Sequence, residues 1–444
     1  MPYLDAFWDR PLQDYATFLY DVPGTSARAG NRHDALLRLR RLVDRVAMRS
    51  GASAADAVAA SAQLAEAPVI QTGPHCHLLA EPDAFYTHLF ILLGASAHAR
   101  GWHICYSAST VKFIARAGKG PGWLRLAGEL TNVFGLSRNK MDGDNICGIA
   151  GPYRFKMSGR ASCEPVNPSA AQLKSLLPTA EFGSAADAIK SGNQVLWQRS
   201  FPPSIRLLQF DDADVAELVA DHLEGSDSWL SRCFIGNGLF ADGILRDLDQ
   251  LNQGPWQGWI PRTTDLFWGL LNGRIRPLRL TDGRLSDGSQ HDNDIPFSRE
   301  PIAAALRQRK LLLNLLTTFL VISILPGVRA LGGCRQVIYY PLMRYLPAAQ
   351  LARSDDRGLL QALAADRYPG SWGHRVLKPE DVDPAHALLF GQNIADLAKA
   401  LAAHTLSETS GDLESFTHDP NWARLSARIS NGEISRHSPE WLNS

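Results

Sequence analysis

Between Pro68 and Tyr106 the hydrophobic period changes twice. Pro68-Val69-Ile70-Gln71-Thr72 is a short apolar run that stops at Gly73-Pro74. Pro82 to Ala99 is an amphipathic segment, and Trp102 to Tyr106 is a second apolar run. Strand, loop, helix and strand in that order make a βαβ unit, whose two strands must lie parallel and be joined by a right-handed crossover. The fold class that follows is α/β, with a Rossmann-like parallel sheet core and helical N-terminal and C-terminal additions.

The same alternation resumes downstream. Ser204 to Phe210 reads as a strand and Asp212 to Leu223 as a helix that Asp211 or Asp212 can cap. Val328 to Leu331 reads as a strand, Gly332-Gly333 as a tight turn and Gln336 to Leu346 as a helix. Upstream, Asp34 to Met48 carries Leu36, Leu39, Leu42, Val43 and Val46 near the helical period, opposite an arginine face, and Ser53 is the expected cap of an alanine-rich helix. The expected parts are a helical segment over 1–67, a Rossmann-like catalytic core with insertions over 68–346, and a helical cap over 347–444. Pro301 to Leu325 is expected to be one long buried helix. Its apolar part, Leu311 to Leu325, is 15 residues, short of the roughly 20 that cross a bilayer.

Charge narrows the function classes. Lys+Arg 45 balance Asp+Glu 45, whereas tight binding to nucleic-acid backbone or anionic membrane needs a surplus of cations. Neither partner is expected. The six cysteines include no Cys-x-x-Cys pair, which argues against a zinc knuckle, and in a chain of this size against a disulfide framework. No charged segment followed by an apolar one opens the chain, so a reducing cytoplasm is the expected setting.

In parallel sheets, ligands bind beyond the carboxyl ends of the strands, where strand order reverses. Two loops meet that description. Thr72-Gly73-Pro74-His75-Cys76-His77 follows a strand and precedes a helix; Gly73 allows close backbone approach, and His75 and His77 are the candidate catalytic residues. Leu331-Gly332-Gly333-Cys334-Arg335-Gln336 is the second, with paired glycines that can form an anion-binding nest. Thr264 and Asp265 belong to a third cluster, followed by Arg274 and Arg276, whose alternation on a strand suits a carboxylate or phosphate clamp. Asn132 and Arg138 form a further polar patch. A metal-dependent hydrolase or lyase built on His75, Cys76 and His77 is the competing reading, its further ligand coming from His103, Cys105 or Asp265; a non-catalytic small-ligand-binding protein is another. No spacing fixes a metal.

With these loops placed, the chain resembles the bacillithiol-forming cysteine ligases. Val69-Ile70-Gln71-Thr72-Gly73-Pro74-His75 is similar to that family's opening strand and Thr-Gly turn. Arg276-Pro277, Leu325-Pro326-Gly327-Val328 and Gly332-Gly333-Cys334-Arg335-Gln336-Val337-Ile338-Tyr339 follow in the family's order, over roughly residues 68 to 346. Gln336 stands where the family has an acid and Cys334 where it has proline, and 347–444 has no heptad pattern. The resemblance implies a Rossmann-like core, a nucleotide or sugar-type ligand across the sheet's carboxyl edge, and ligation of an amino acid, cysteine being its suggestion, to a small-molecule acceptor. ATP or another nucleotide is the cosubstrate it points to. On that reading His75 and His77 stabilise or protonate an oxygen leaving group. Thr72, Gly73, Gly332 and Gly333 donate to anionic oxygens, Arg274, Arg276 and Gln336 orient a carboxylate, and Tyr339 completes the ligand site.

Overall fold

The computed structural model describes residues 2–24, 30–110, 120–143, 146–159, 167–236, 239–271, 274–289, 294–377, 383–411 and 413–434. The glycine-rich stretch from Gly118 to Arg160 and the polar stretch from Leu285 to Asp294 lie partly outside the described residues, at 118–119, 144–145, 160 and 290–293.

The strands among the described residues are, in chain order, β1 Val69–Gln71, β2 Trp102–Ser107, β3 Trp123–Leu126, β4 Glu129–Asn132, β5 Arg206–Asp211, β6 Phe267–Leu271, β7 Arg274–Pro277, β8 Arg279–Thr281, β9 Arg284–Ser286, β10 Ile295–Pro296, β11 Leu311–Leu313, β12 Arg329–Gly332 and β13 Gly370–Trp372. Five of them form an all-parallel central sheet in the order β13-β12-β1-β2-β5. Every residue of β2 is buried, as expected of a strand covered on both faces. By sequence the spatial order is fifth, fourth, first, second, third, so the winding direction reverses between β1 and β12. Their register is Val69↔Arg329, Ile70↔Ala330 and Gln71↔Leu331. The βαβ unit is present, with Pro82–Ala97 as its crossover helix.

Two expectations are corrected. The sheet is not completed within 68–346, because its edge strand β13 comes from the stretch read as a helical cap. Within 1–67 lie the helices Leu12–Tyr20, Asn31–Arg49 and Ala54–Glu66; the first packs on Pro82–Ala97, and the Tyr15 hydroxyl donates to the Trp372 carbonyl at 2.5 Å. One hydrophobic core runs through all three stretches.

The long helix over 301–325 is also broken. Arg299–Arg307 is helical, Arg309 turns the chain with φ 54°, and Leu311–Leu313 becomes β11, antiparallel to β6. Asn314 then caps a new helix by accepting from the Thr317 amide at 2.9 Å. Polar Gln308-Arg309-Lys310 interrupts the apolar period, and β6 offers a strand partner. Among the described residues no helix is long and apolar enough to cross a membrane.

Candidate functional site

The segments after β1 and β12 meet at the carboxyl edge of the sheet, at the reversal of strand order. The Thr72 amide donates to Leu331 O at 2.7 Å. Its hydroxyl lies 3.0 Å from the same carbonyl and 2.9 Å from Gln336 Oε1. Gln336 is buried; its Nε2 donates to Ala330 O at 3.1 Å, and its Oε1 also accepts from the Tyr339 hydroxyl at 3.2 Å. Thr72, Gly73, Gly332, Gly333, Gln336 and Tyr339 are therefore neighbours. Their hydrogen bonds are spent on one another, so a carboxylate-orienting role for Gln336 is not supported by this arrangement.

The glycines are likewise occupied. A Cβ on Gly73 would come within 2.6 Å of His374 Cγ, and one on Gly332 would fall inside the Gln336 amide. Gly332 O accepts from the amides of Gly373 and His374 at 2.8 and 3.0 Å, which ties the end of β13 to the end of β12. Both glycines permit close side-chain packing, and neither leaves an open phosphate cradle.

Sequence reasoning missed His374, which this packing delivers to the same rim. Its Nδ1 is 2.8 Å from Thr87 Oγ1 on the crossover helix. His75 and His77 are close enough for their charge to disfavour protonation of His374, and His75 does the same to His77. His75 is exposed at this rim, although much protein lies around it. Desolvation lowers its pKa to about 4, against a smaller opposing pull from Asp212; desolvation lowers His77 to about 3 and His374 well below its ordinary value. All three imidazoles are neutral at pH 7, so protonating a leaving group is disfavoured. A neutral ring can still donate an N–H hydrogen bond or accept a proton.

The ends of β2 and β5 complete the rim. Asp211 caps the helix Asp212–Glu224 in a capping box, while Asp212 turns back to the β2 side. Asp212 Oδ2 accepts from the amides of Ser109 and Thr110 at 2.8 and 2.6 Å and from their hydroxyls at 3.2 and 2.7 Å. Its Oδ1 accepts from the buried Tyr106 hydroxyl. Asn193 holds the next stretch of the β1 loop, accepting from the Leu79 amide at 2.7 Å and donating to His77 O at 2.9 Å. A cavity of about 390 Å³ opens beside this turn, lined by Ser109, Thr110, Cys147, Ser184, Asp211 and Arg309 among others. That size is within the range of small-molecule sites.

Other candidates lie elsewhere or serve the fold. Asn132 closes its own turn, accepting from the Gly135 amide at 2.8 Å and donating to Leu136 O at 2.7 Å; Arg138 is exposed on the following helix. Thr264 is buried against Phe267 and Leu278. Asp265 is enclosed by Arg262, at 2.7 Å to each oxygen, and by Arg279 at 3.1 Å. Arg274 and Arg276 are exposed on β7, in a second, antiparallel sheet of β11-β6-β7. Arg276 borders a different cavity, of about 530 Å³.

The metal alternative fares no better. The Cys76 thiol is buried against that of Cys147, His103 Nε2 is 2.9 Å from His88 Nδ1, and Asp265 belongs to the arginine network. Among the described residues no group of three or more His, Cys, Asp or Glu side chains is placed to hold an ion. Cys334, in the glycine-pair loop, is buried.

Three further histidines give a pH signature. His88, His103 and His222 are buried, and desolvation lowers His88 to about 3, His222 to about 4 and His103 well below the usual range. Their unfolded-state pKa is about 6.5, so the unfolded chain binds more protons below that pH and stability falls as pH drops from about 6.5 toward 4. Neither ring nitrogen of His222 has a hydrogen-bond partner among the described residues, while Arg38, Asp34 and Asp221 provide the charges around it. In thermal melts, His222→Leu should flatten the acid-side decline by up to about 3 kcal/mol; an unchanged slope refutes the assignment.

No protein-family model matches the chain, and no curated protein is significantly similar to it in sequence.

Proposed function

We propose that the chain is a biosynthetic enzyme that joins an amino acid to a small-molecule acceptor at the carboxyl edge of a Rossmann-like sheet. The observation that carries this reading is the exposed His75, which follows β1 directly and so stands beside the reversal of strand order. Support also comes from the meeting of two sequence segments that carry the resemblance to cysteine ligases. They are more than 250 residues apart, and the Thr72–Gln336 contact at 2.9 Å links them.

In this reading His75 accepts the proton of the incoming nucleophile, or donates its N–H to an oxygen that gains charge as it leaves. Desolvation keeps it from holding a proton permanently. Ser109 and Thr110, fixed by Asp212, present hydroxyls to the substrate in the adjoining cavity. A nucleotide is the proposed cosubstrate. Because Gly73 and Gly332 are covered and Ser109 and Thr110 donate to Asp212, its phosphates would rest near Arg309 in the cavity beside β2 and β5.

The test is calorimetric titration with ATP and the proteinogenic amino acids, singly and together, with mass spectrometry of the products. His75→Ala should lower turnover at least about 10²-fold with little change in KM. Wild-type turnover in that variant removes the loop from the chemistry. Binding without any product in the native protein favours the non-catalytic alternative.

A further inference from the structure

At the opposite end of the sheet, where β12 and β13 begin, a recess of about 470 Å³ is lined by Phe18, Asp21, Arg329, Asp366, Arg367 and Tyr368 among others. Arg329 is 4% exposed, and its guanidinium reaches no carboxylate within ion-pair distance among the described residues. It donates instead to four main-chain carbonyls: Phe18 O at 3.1 Å, Leu19 O at 2.8 Å, Asp21 O at 3.4 Å and Arg367 O at 3.3 Å. Its Nε has no partner. Buried charges are ordinarily paired with an opposite charge; this one is met at close range by backbone dipoles and by the Phe18 ring, whose centroid lies 5.7 Å from its Cζ.

Asp21 acts on Arg329 from a distance, and no surrounding carboxylate among the described residues makes an ion-pair contact with it. Asp366 is held by Arg32 at 2.5 Å and lies 3.8 Å from Arg344, so two buried guanidinium groups already share it. Asp21 is exposed to water, and the Arg367 side chain is exposed at the rim with no hydrogen bond or ion pair of its own among the described residues. Positive charge is in excess at this end. The rim also carries an aromatic wall. Tyr368, 42% exposed, has its ring centroid 5.1 Å from that of Tyr3 and 5.3 Å from that of Phe18. It is held at φ 51°, a conformation bulky residues rarely adopt. An accessible aromatic face beside a guanidinium short of a counter-ion matches a ligand that carries both a ring and an oxyanion.

We propose that this recess is a second ligand site, taking a phosphate or carboxylate borne on a small ring-containing molecule. Arg329 and Arg367 hold the oxyanion, and Tyr368 packs on the ring. The site stands independently of the reading given to the carboxyl edge.

Phenyl phosphate, benzoate and inorganic phosphate are the probes, titrated calorimetrically into the full chain at constant ionic strength. Phenyl phosphate should bind more tightly than inorganic phosphate, and the ratio of phenyl phosphate to benzoate affinity tells which oxyanion is preferred. Tyr368→Ala should erase the advantage of the ring, and Arg367→Ala should weaken phenyl phosphate about tenfold. Both residues are exposed, so these variants carry the test even if Arg329→Lys does not fold. His75→Ala should leave the titration unchanged, which separates this site from the other end of the sheet. Absence of binding by all three probes at about 10 mM, or identical affinity in an Arg367→Ala/Tyr368→Ala double variant, overturns the proposal.

Discussion

Asp212→Ala should lower the unfolding free energy by about 3–5 kcal/mol, whereas Asp212→Asn should cost about 1–2 kcal/mol. The carboxylate is 4% exposed and serves five donors from the turn after β2 and from Tyr106. Alanine leaves the Ser109 and Thr110 amides without an acceptor and the Tyr106 hydroxyl without a partner, and each such loss carries a desolvation penalty. Asparagine keeps a carbonyl oxygen for the turn and offers its NH₂ to the Tyr106 oxygen, which can accept. Urea unfolding of the two variants measures the gap. Equal losses would mean that Asp212 acts through its charge on distant groups rather than through these bonds.

Gly332→Ala should cost about 3 kcal/mol, at the upper end of overpacking effects. The added methyl falls on the Gln336 amide, which cannot retreat without releasing Ala330 O, Thr72 and Tyr339. Gln336→Ala should also destabilise. The double variant should be less destabilised than the sum of the two, because removal of the amide makes room for the methyl. Gly358→Ala is the matched control: its position in the helix Arg357–Ala364 has open space around it, so it should gain about 0.5–1 kcal/mol. Strict additivity in the double variant would show that the two residues do not share the space the geometry assigns them.

The parts of the fold legible in the sequence are those where hydrophobic period changes sharply. The βαβ unit, the strand and helix around Asp211, and the strand–turn–helix around Gly332 all lie close to where the residues place them. Leu311 to Leu325 was illegible because a continuous apolar run satisfies a buried strand and a buried helix equally well; only β6 alongside it decides. β13 is three residues long, begins with glycine and is followed by polar residues, so nothing local marks it. Missing β13 meant missing His374, two residues beyond the end of that strand. The Asp211-Asp212 pair was read as two candidates for one cap. Separating a helix-capping carboxylate from one that organises the neighbouring strand's turn requires knowing that β2 lies beside β5.

β13 also bears on how the chain comes into being. Roughly 300 residues separate it from β1, and at about 5–20 residues per second the ribosome needs on the order of 15 to 60 seconds to cover that distance. Until β12 is made, about 260 residues after β1, the nascent polypeptide can pair β1 with β2, and β2 with β5 once that follows, but it lacks both strands of the other half. A newborn chain of this kind has a long window in which an unsatisfied strand margin is open to solvent, and chaperone capture during translation is the natural safeguard.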